Sequence, residues 1–430
     1  MAYATMTEEF LHYVWRYRLF DMVDLKTAEG EDLQVIKTGD YNTHAGADFF
    51  NAKIMIGNTL WAGNVEIHLH TNDWNKHRHQ HDGAYNNVIL HVVHDAGMEV
   101  QTQSNRAVPL LELKGKIKRK IWDNYEEMLA NNDWIPCQKQ LHAVDAATLD
   151  SWLEKMVFER LERKTYDLLQ GLNQNRNNWE ETFYVNLAKN FGYKINSLPF
   201  ELLAKSVSNL ILAKHKDKPL QLEALLFGQA GMLNKDFKDD YYQKLRSEYE
   251  FLKHKYSLQP IDENMWKFMR LRPIGFPTIR ISQFADLIHH SSHLFSKILV
   301  AEHVKDLEKL FDAHTSDYWQ EHYTFDKPSI KQEKRIGKDF IHNIIINTIV
   351  PFLYVYGKKL NIKKQTDKAL ELMKQLPKEN NSILDKWSEI GIDAKDSFQS
   401  QALLELKNEY CFRKKCLTCA VGNKILSRDE

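Results

Sequence analysis

An excess of charge of either sign is missing from this sequence: 58 lysines and arginines stand against 58 aspartates and glutamates. That balance rules out bulk attraction to a polyanion and leaves any nucleic-acid contact to a local patch. The opening MAYATMTEEFLHY lacks an apolar core between a basic start and a small-residue cleavage point, so no secretory signal is expected and the chain reads as cytoplasmic. Long hydrophobic runs are scarce. The most membrane-like one, Phe340 to Tyr356, is interrupted by His342, Asn343, Asn347 and Pro351, each costly in lipid. A buried helix kinked near Pro351 is expected there, and no membrane partner. Internal repeats and low-complexity tracts are absent. Cysteine is rare, with four in the chain, and in a cytoplasmic protein such residues are not expected to form disulfides.

What is present is ordinary globular material: 430 residues, 43% hydrophobic and 27% charged, enough for two or three domains. Thr7 followed by Glu8 and Glu9 opens a helix whose apolar positions Phe10, Leu11, Val14 and Trp15 recur at helical spacing, and which is expected to end near Phe20 or Asp21. Short apolar stretches separated by turn residues then predict strands over 33–36, 49–56, 60–69, 88–93 and 108–113. Beyond Cys137 the texture changes to long helical periods over 149–172, 201–213, 241–254 and 293–311. The expected fold is therefore α+β: a mixed-sheet domain over residues 1–135, then a mostly helical domain over 136–430 that carries a C-terminal cysteine cluster packing back on the first.

The densest chemistry lies between Trp61 and Asp95, which hold seven of the 19 histidines. In 63–70 the apolar Val65, Ile67 and Leu69 alternate with Glu66, His68 and His70, the period of a strand with one packed face and one polar face. A polar link bearing Trp74, His77, His79, His81 and Asp82 follows. Asp48 heads the preceding strand, and a hairpin through Gly57 and Asn58 would bring it beside Glu66. Two carboxylates so placed suit magnesium or manganese, and neutral imidazoles at His77 and His79 suit a transition metal.

The order of a helix, strands, Asp48, then Glu66-x-His68 on a strand and a further strand resembles the core of the PD-(D/E)XK nucleases. That resemblance implies a restriction-endonuclease-like fold, metal binding by Asp48 and Glu66, and a water-assisting role for His68, which stands where the family carries lysine. Glu8 or Glu9 would match a first-helix glutamate seen in some members. The function so implied is metal-dependent phosphodiester hydrolysis, with DNA or RNA as partner. The alternative is a non-catalytic nucleic-acid or protein-binding scaffold. A second match, Asp95 with Glu112-Leu113-Lys114, carries the family's lysine. The run His77 to Asp82 is also similar to the His-x-His-x-Asp-His signature of metallo-β-lactamase-type hydrolases with its last two residues exchanged. Over its whole length, through phrases such as NTHAGADFFNAKI, WAGNVEIHLHTNDWNKHRHQHD and KKCLTCAVGNKIL, the chain resembles a widespread bacterial family of unknown function.

Two further features bear on function. Lys116, Lys118 and Arg119 lie in the basic run KGKIKRK, a candidate phosphate-contacting patch at the start of a helix. Cys137 stands alone, and Cys411-x4-Cys416-x2-Cys419 clusters near the C-terminus, spacing that suits zinc or iron–sulfur ligation. The four resemble the cysteine set of iron–sulfur-stapled PD-(D/E)XK nucleases, with the lone cysteine after the active-site motifs instead of before them.

Overall fold

The computed structural model describes residues 6–291 and 293–427, in two compact units. One holds the chain through Glu154 together with the chain from Leu404 on; the other holds Lys155–Leu403. The expected boundary at 135/136 lies inside the first unit.

The first unit begins with α1 (Glu8–Arg16), capped by the Thr7 side chain and burying Phe10, Leu11, Tyr13, Val14 and Trp15. It stops earlier than its apolar spacing predicts. Arg18 adopts φ 53°, and the amides of Arg18 and Leu19 bond back to the carbonyls of Trp15 and Val14, the paired bonds of a Schellman turn. A mixed sheet follows, built from β1 (Leu33–Lys37), β2 (Asp40–Tyr41), β3 (Phe49–Ile56), β4 (Thr59–His70), β5 (Val88–Asp95) and β6 (Leu110–Glu112). Its order is β1-β3-β4-β5-β6, with β2 also paired to β3. Pairing is antiparallel from β1 through β4 and parallel from β4 through β6. The helix α3 (Arg119–Ala130) packs Tyr125 against Phe10 of α1, ring centroids 5.0 Å apart.

The change to parallel pairing at β4 decides where the site forms. Antiparallel strands can be joined by a short hairpin, but parallel neighbours need a crossover that passes over one face of the sheet. Here residues 71–87 make it, through α2 (Asp73–Lys76) and two short 3₁₀ turns, His79–His81 and Gly83–Tyr85. As a result β4 is buried on both faces from Gly63 to His68 rather than on one. Gly63 is required by this closure: a Cβ there would lie 2.6 Å from the Asn87 carbonyl oxygen and 2.4 Å from Ile89 Cγ2.

Among its described residues, the second unit is built from helices, with one short strand pair, His322–Thr324 and Lys327–Pro328. The helical period expected over 293–311 is divided into Leu294–Val300 and Val304–Leu310, because the buried Lys368 ammonium bonds the carbonyls of Ile298, Leu299 and Ala301 and closes the first helix. The span Lys338–Lys359 is long and apolar enough to cross a membrane, yet 78% of its most apolar window is buried inside the fold. It runs as a core helix that widens to a π turn over Ile345–Ile349, just before Pro351, whose missing N–H cannot continue the α pattern. Arg280 is buried over the Phe340 ring at 3.8 Å and donates to Gln283.

Candidate functional site

The β3–β4 hairpin sets Phe49 opposite Val65, which brings Asp48 alongside Glu66. The Asp48 amide donates to Glu66 Oε2 at 3.2 Å, and the Ile67 amide donates to Asp48 Oδ2 at 2.9 Å. From α1, His12 sets its Nε2 3.2 Å from the same Asp48 oxygen. On the other side of Glu66, Oε1 lies 3.2 Å from His79 Nε2 and 3.6 Å from His68 Nε2. His68 Nε2 is also 3.1 Å from His77 Nδ1. The ligand-capable atoms of His68, His77 and His79 all lie within 4.8 Å of one another.

Two elements make this convergence. The strand supplies Glu66 and His68 on one face, and the crossover lays His77 and His79 over them. Between the last two, Arg78 takes φ 63°, a left-handed conformation uncommon for a side chain of this kind, and turns the chain from α2 into the 3₁₀ turn that starts at His79. Aromatic packing then fixes the rings. Tyr85 stacks on His79 at 3.8 Å, and the fully buried Trp74 meets His79 edge-on at 5.4 Å and His91 at 5.2 Å. Behind His68 stands His91 of β5, fully buried, its Nε2 2.8 Å from His68 Nδ1.

Several of these polar atoms have no hydrogen bond. Among the described residues, His79 Nε2, both His12 nitrogens and His91 Nδ1 are buried without an aligned hydrogen-bond partner, although His79 Nε2 and His12 Nε2 each approach a carboxylate at 3.2 Å. Burial, with the adjacent Asp48 charge, pushes the Glu66 carboxyl up to about 9. Burial and the neighbouring imidazoles push His68 down to about 2 and His91 to about 3, and burial lowers His79. Glu66, His68, His79 and His91 are thus all biased toward their uncharged forms. His12 goes the other way: burial opposes its charging, but the Asp48 carboxylate, reinforced by Glu8 and Glu66, raises its pKa.

Of the residues singled out in the sequence, Asp48, Glu66, His68, His77 and His79 come together, while His81 is exposed outside the group. The second nuclease-like match forms a separate surface cluster, with Lys114 2.5 Å and His94 2.8 Å from Asp95 and the Glu112 carboxylate accepting from the Ala96 amide. In the basic run, Arg119 is paired with Asp123 at 3.1 Å and Lys118 precedes α3. His12 and His91, which were not among those residues, also belong to the site. The signal for His12 was its place one turn after Glu8 on an otherwise apolar helix face. For His91 it was a lone polar residue inside the β-branched run VILHVV.

Beside His12 opens a cavity of about 230 Å³ lined by Tyr13, Tyr17, Tyr41, Arg16, Lys414 and Lys415. Cys137, Cys411, Cys416 and Cys419 line a second, smaller cavity in the same unit.

A family model described as "Protein of unknown function (DUF2851)" matches residues 8–382, a span that includes every residue of the histidine and carboxylate site. No curated protein and no solved structure matches the chain. With the match covering most of its length, the chain belongs to the DUF2851 family.

Proposed function

We propose that this protein is a metal-dependent phosphodiesterase acting on nucleic acid, with its centre at Glu66, His68, His77 and His79. The observation that carries the reading is the convergence of His68, His77 and His79 from two separate elements, two of them buried and His77 exposed, with Glu66 3.2 Å from His79 and 3.6 Å from His68. Three nitrogens and one oxygen form a donor set that fits manganese, zinc or iron better than magnesium, which prefers oxygen ligands in octahedral array. Such an ion, when bound, activates water and offsets the charge that builds on a phosphoryl group.

The chain's own groups divide the remaining work. His91 orients His68: a bond from His68 Nδ1–H to His91 Nε2 leaves the Nε2 lone pair of His68 facing the site. Asp48 links the two halves, accepting from the Ile67 amide while its carboxylate raises the pKa of His12. His12, lining the cavity, is the group suited to move a proton there. Tyr13, Tyr17 and Tyr41 offer faces for a base, and Arg16, Lys414 and Lys415 offer cations for flanking phosphates. A restriction-endonuclease-like core is supported by the helix, the antiparallel β1-β3-β4 set, the crossover and the parallel β5, with Asp48 just before β3 and Glu66 on the adjoining β4.

The test is cleavage of labelled single- and double-stranded DNA and RNA in manganese, zinc or magnesium, with Glu66→Ala and His79→Ala beside the parent. Cleavage in manganese that falls at least about 100-fold in both variants is expected from loss of a metal ligand. Equal cleavage by parent and variants, or none with any metal and substrate, would remove the reading and leave the scaffold alternative.

A further inference from the structure

We propose that Cys137, Cys411, Cys416 and Cys419 ligate a metal as thiolates, as a single zinc ion or an iron–sulfur cluster, in a centre separate from the histidine site. This inference does not rest on the hydrolase reading. Cys137 is 274 positions from Cys411 in the chain, yet all four line one small cavity with Met128, Pro136, Tyr410, Lys415 and Gly422. Cys137, Cys416 and Cys419 are 6 to 7% exposed, and no disulfide joins any of the four.

Buried cysteines commonly serve as small apolar side chains, and then they have no reason to seek one another. Here the backbone is shaped to gather them. A π turn over Leu406–Cys411 presents Cys411, and Lys414 turns the chain at φ 50°. The 3₁₀ turn Cys416–Thr418 then leads to Cys419. The helix Ala420–Leu426 crosses so closely over Cys416 that a Cβ on Gly422 would sit 2.2 Å from the Cys416 carbonyl oxygen. On the facing side, Asn131 bonds the Pro136 carbonyl and holds the turn before Cys137. Lys407 and Lys414 donate to the carbonyls of Trp134 and Leu129, which fastens the two segments together.

Burial, with the neighbouring sulfurs, pushes the thiols of Cys137 and Cys416 up to about 12, so without a counter-charge they stay protonated and inert. A metal reverses that by taking thiolates directly, and Lys407 and Lys414 lie close enough to offset the resulting negative charge. A consequence links the two sites. Lys414 and Lys415 lie on the loop between Cys411 and Cys416 and line the cavity beside His12, so the centre would fix the basic wall of that cavity.

The test uses the full chain purified with and without oxygen. Metal and sulfide analysis should find about one zinc in a colourless protein, or about four irons with matching sulfide in a brown one. Cys137→Ser and Cys416→Ser should each lose that metal at least about tenfold, whereas the double variant His77→Ala, His79→Ala should keep it. Because a cysteine variant can fail to fold, the parent protein is also stripped and titrated with cobalt, which in a thiolate site gives intense visible charge-transfer bands. Iron or zinc lost with the histidines but kept without the cysteines would overturn the proposal. So would a parent protein that holds neither metal and shows no cobalt–thiolate bands.

Discussion

His68 Nδ1 stands 2.8 Å from Nε2 of His91, a residue with no exposed surface at the centre of the parallel strand β5. The tautomers of the two imidazoles are therefore linked, and in the proposed metal site His91 is the positioning residue for His68. Replacing it with leucine should weaken manganese or zinc binding about 10- to 100-fold, as loss of such outer partners does, with partial recovery in His91→Gln. Calorimetric titration measures this; an unchanged dissociation constant would mean that the pair serves packing alone.

Metal binding should release protons. The folded-state pKa of Glu66 lies near 9, above its ordinary 4.5, so the metal-free protein holds a proton that the unfolded chain gives up across that interval. Metal-free stability from this group falls as pH climbs from about 4.5 to 9. His68 and His91, depressed to about 2 and 3, have the opposite sign below their ordinary 6.5, where the unfolded chain takes up their protons and stability rises with pH. At pH 7 a divalent ion should displace about one proton, which Glu66→Gln would abolish. Titration in buffers of different ionisation enthalpy reads the number; zero release in the parent contradicts a Glu66 ligand.

Closure of the crossover should be sensitive to one methyl group. Gly63→Ala places a Cβ against the Asn87 carbonyl and Ile89, and is expected to destabilise the first unit by about 1 to 3 kcal/mol. Urea denaturation followed by tryptophan fluorescence checks it, and an unmoved midpoint would show that the crossover shifts without cost.

In the second unit, Lys368→Met removes the donor to three carbonyls, at 3.1, 2.9 and 3.0 Å, without changing bulk greatly. Leaving those groups unsatisfied should cost about 1 to 3 kcal/mol. Loss of hydrogen-exchange protection confined to Leu294–Val300 and its neighbours is the expected signature.

If the proposed action on nucleic acid holds, two basic regions are the candidates for its contact. Neutralising Lys414 and Lys415 with glutamine should lower the salt dependence of binding by about two ions and weaken affinity across sequences. The triple change at Lys116, Lys118 and Arg119 should act less, because Arg119 is already paired with Asp123. Fluorescence anisotropy over a salt series separates them, and the reverse ranking would move the contact to the start of α3.

Local order is what the sequence by itself determined. Alternation of Val65, Ile67 and Leu69 with Glu66, His68 and His70 specifies a strand, because a period of two has no other regular backbone. The Gly57-Asn58 turn makes its partner β3 and thereby puts Asp48 next to Glu66. The change from strand to helical texture beyond Cys137 was equally legible. Tertiary structure alone decided three things. Whether β5 runs parallel to β4 is a long-range choice, and only that choice forces residues 71–87 across the sheet to set His77 and His79 against His68. The approach of His12 to Asp48 depends on how α1 lies on the sheet, and nothing within a few residues of either encodes it. The meeting of Cys137 with a triplet that begins 274 positions later follows from the C-terminal segment rejoining the first unit, since packing, unlike helical or strand periodicity, leaves no local pattern for such distant partners.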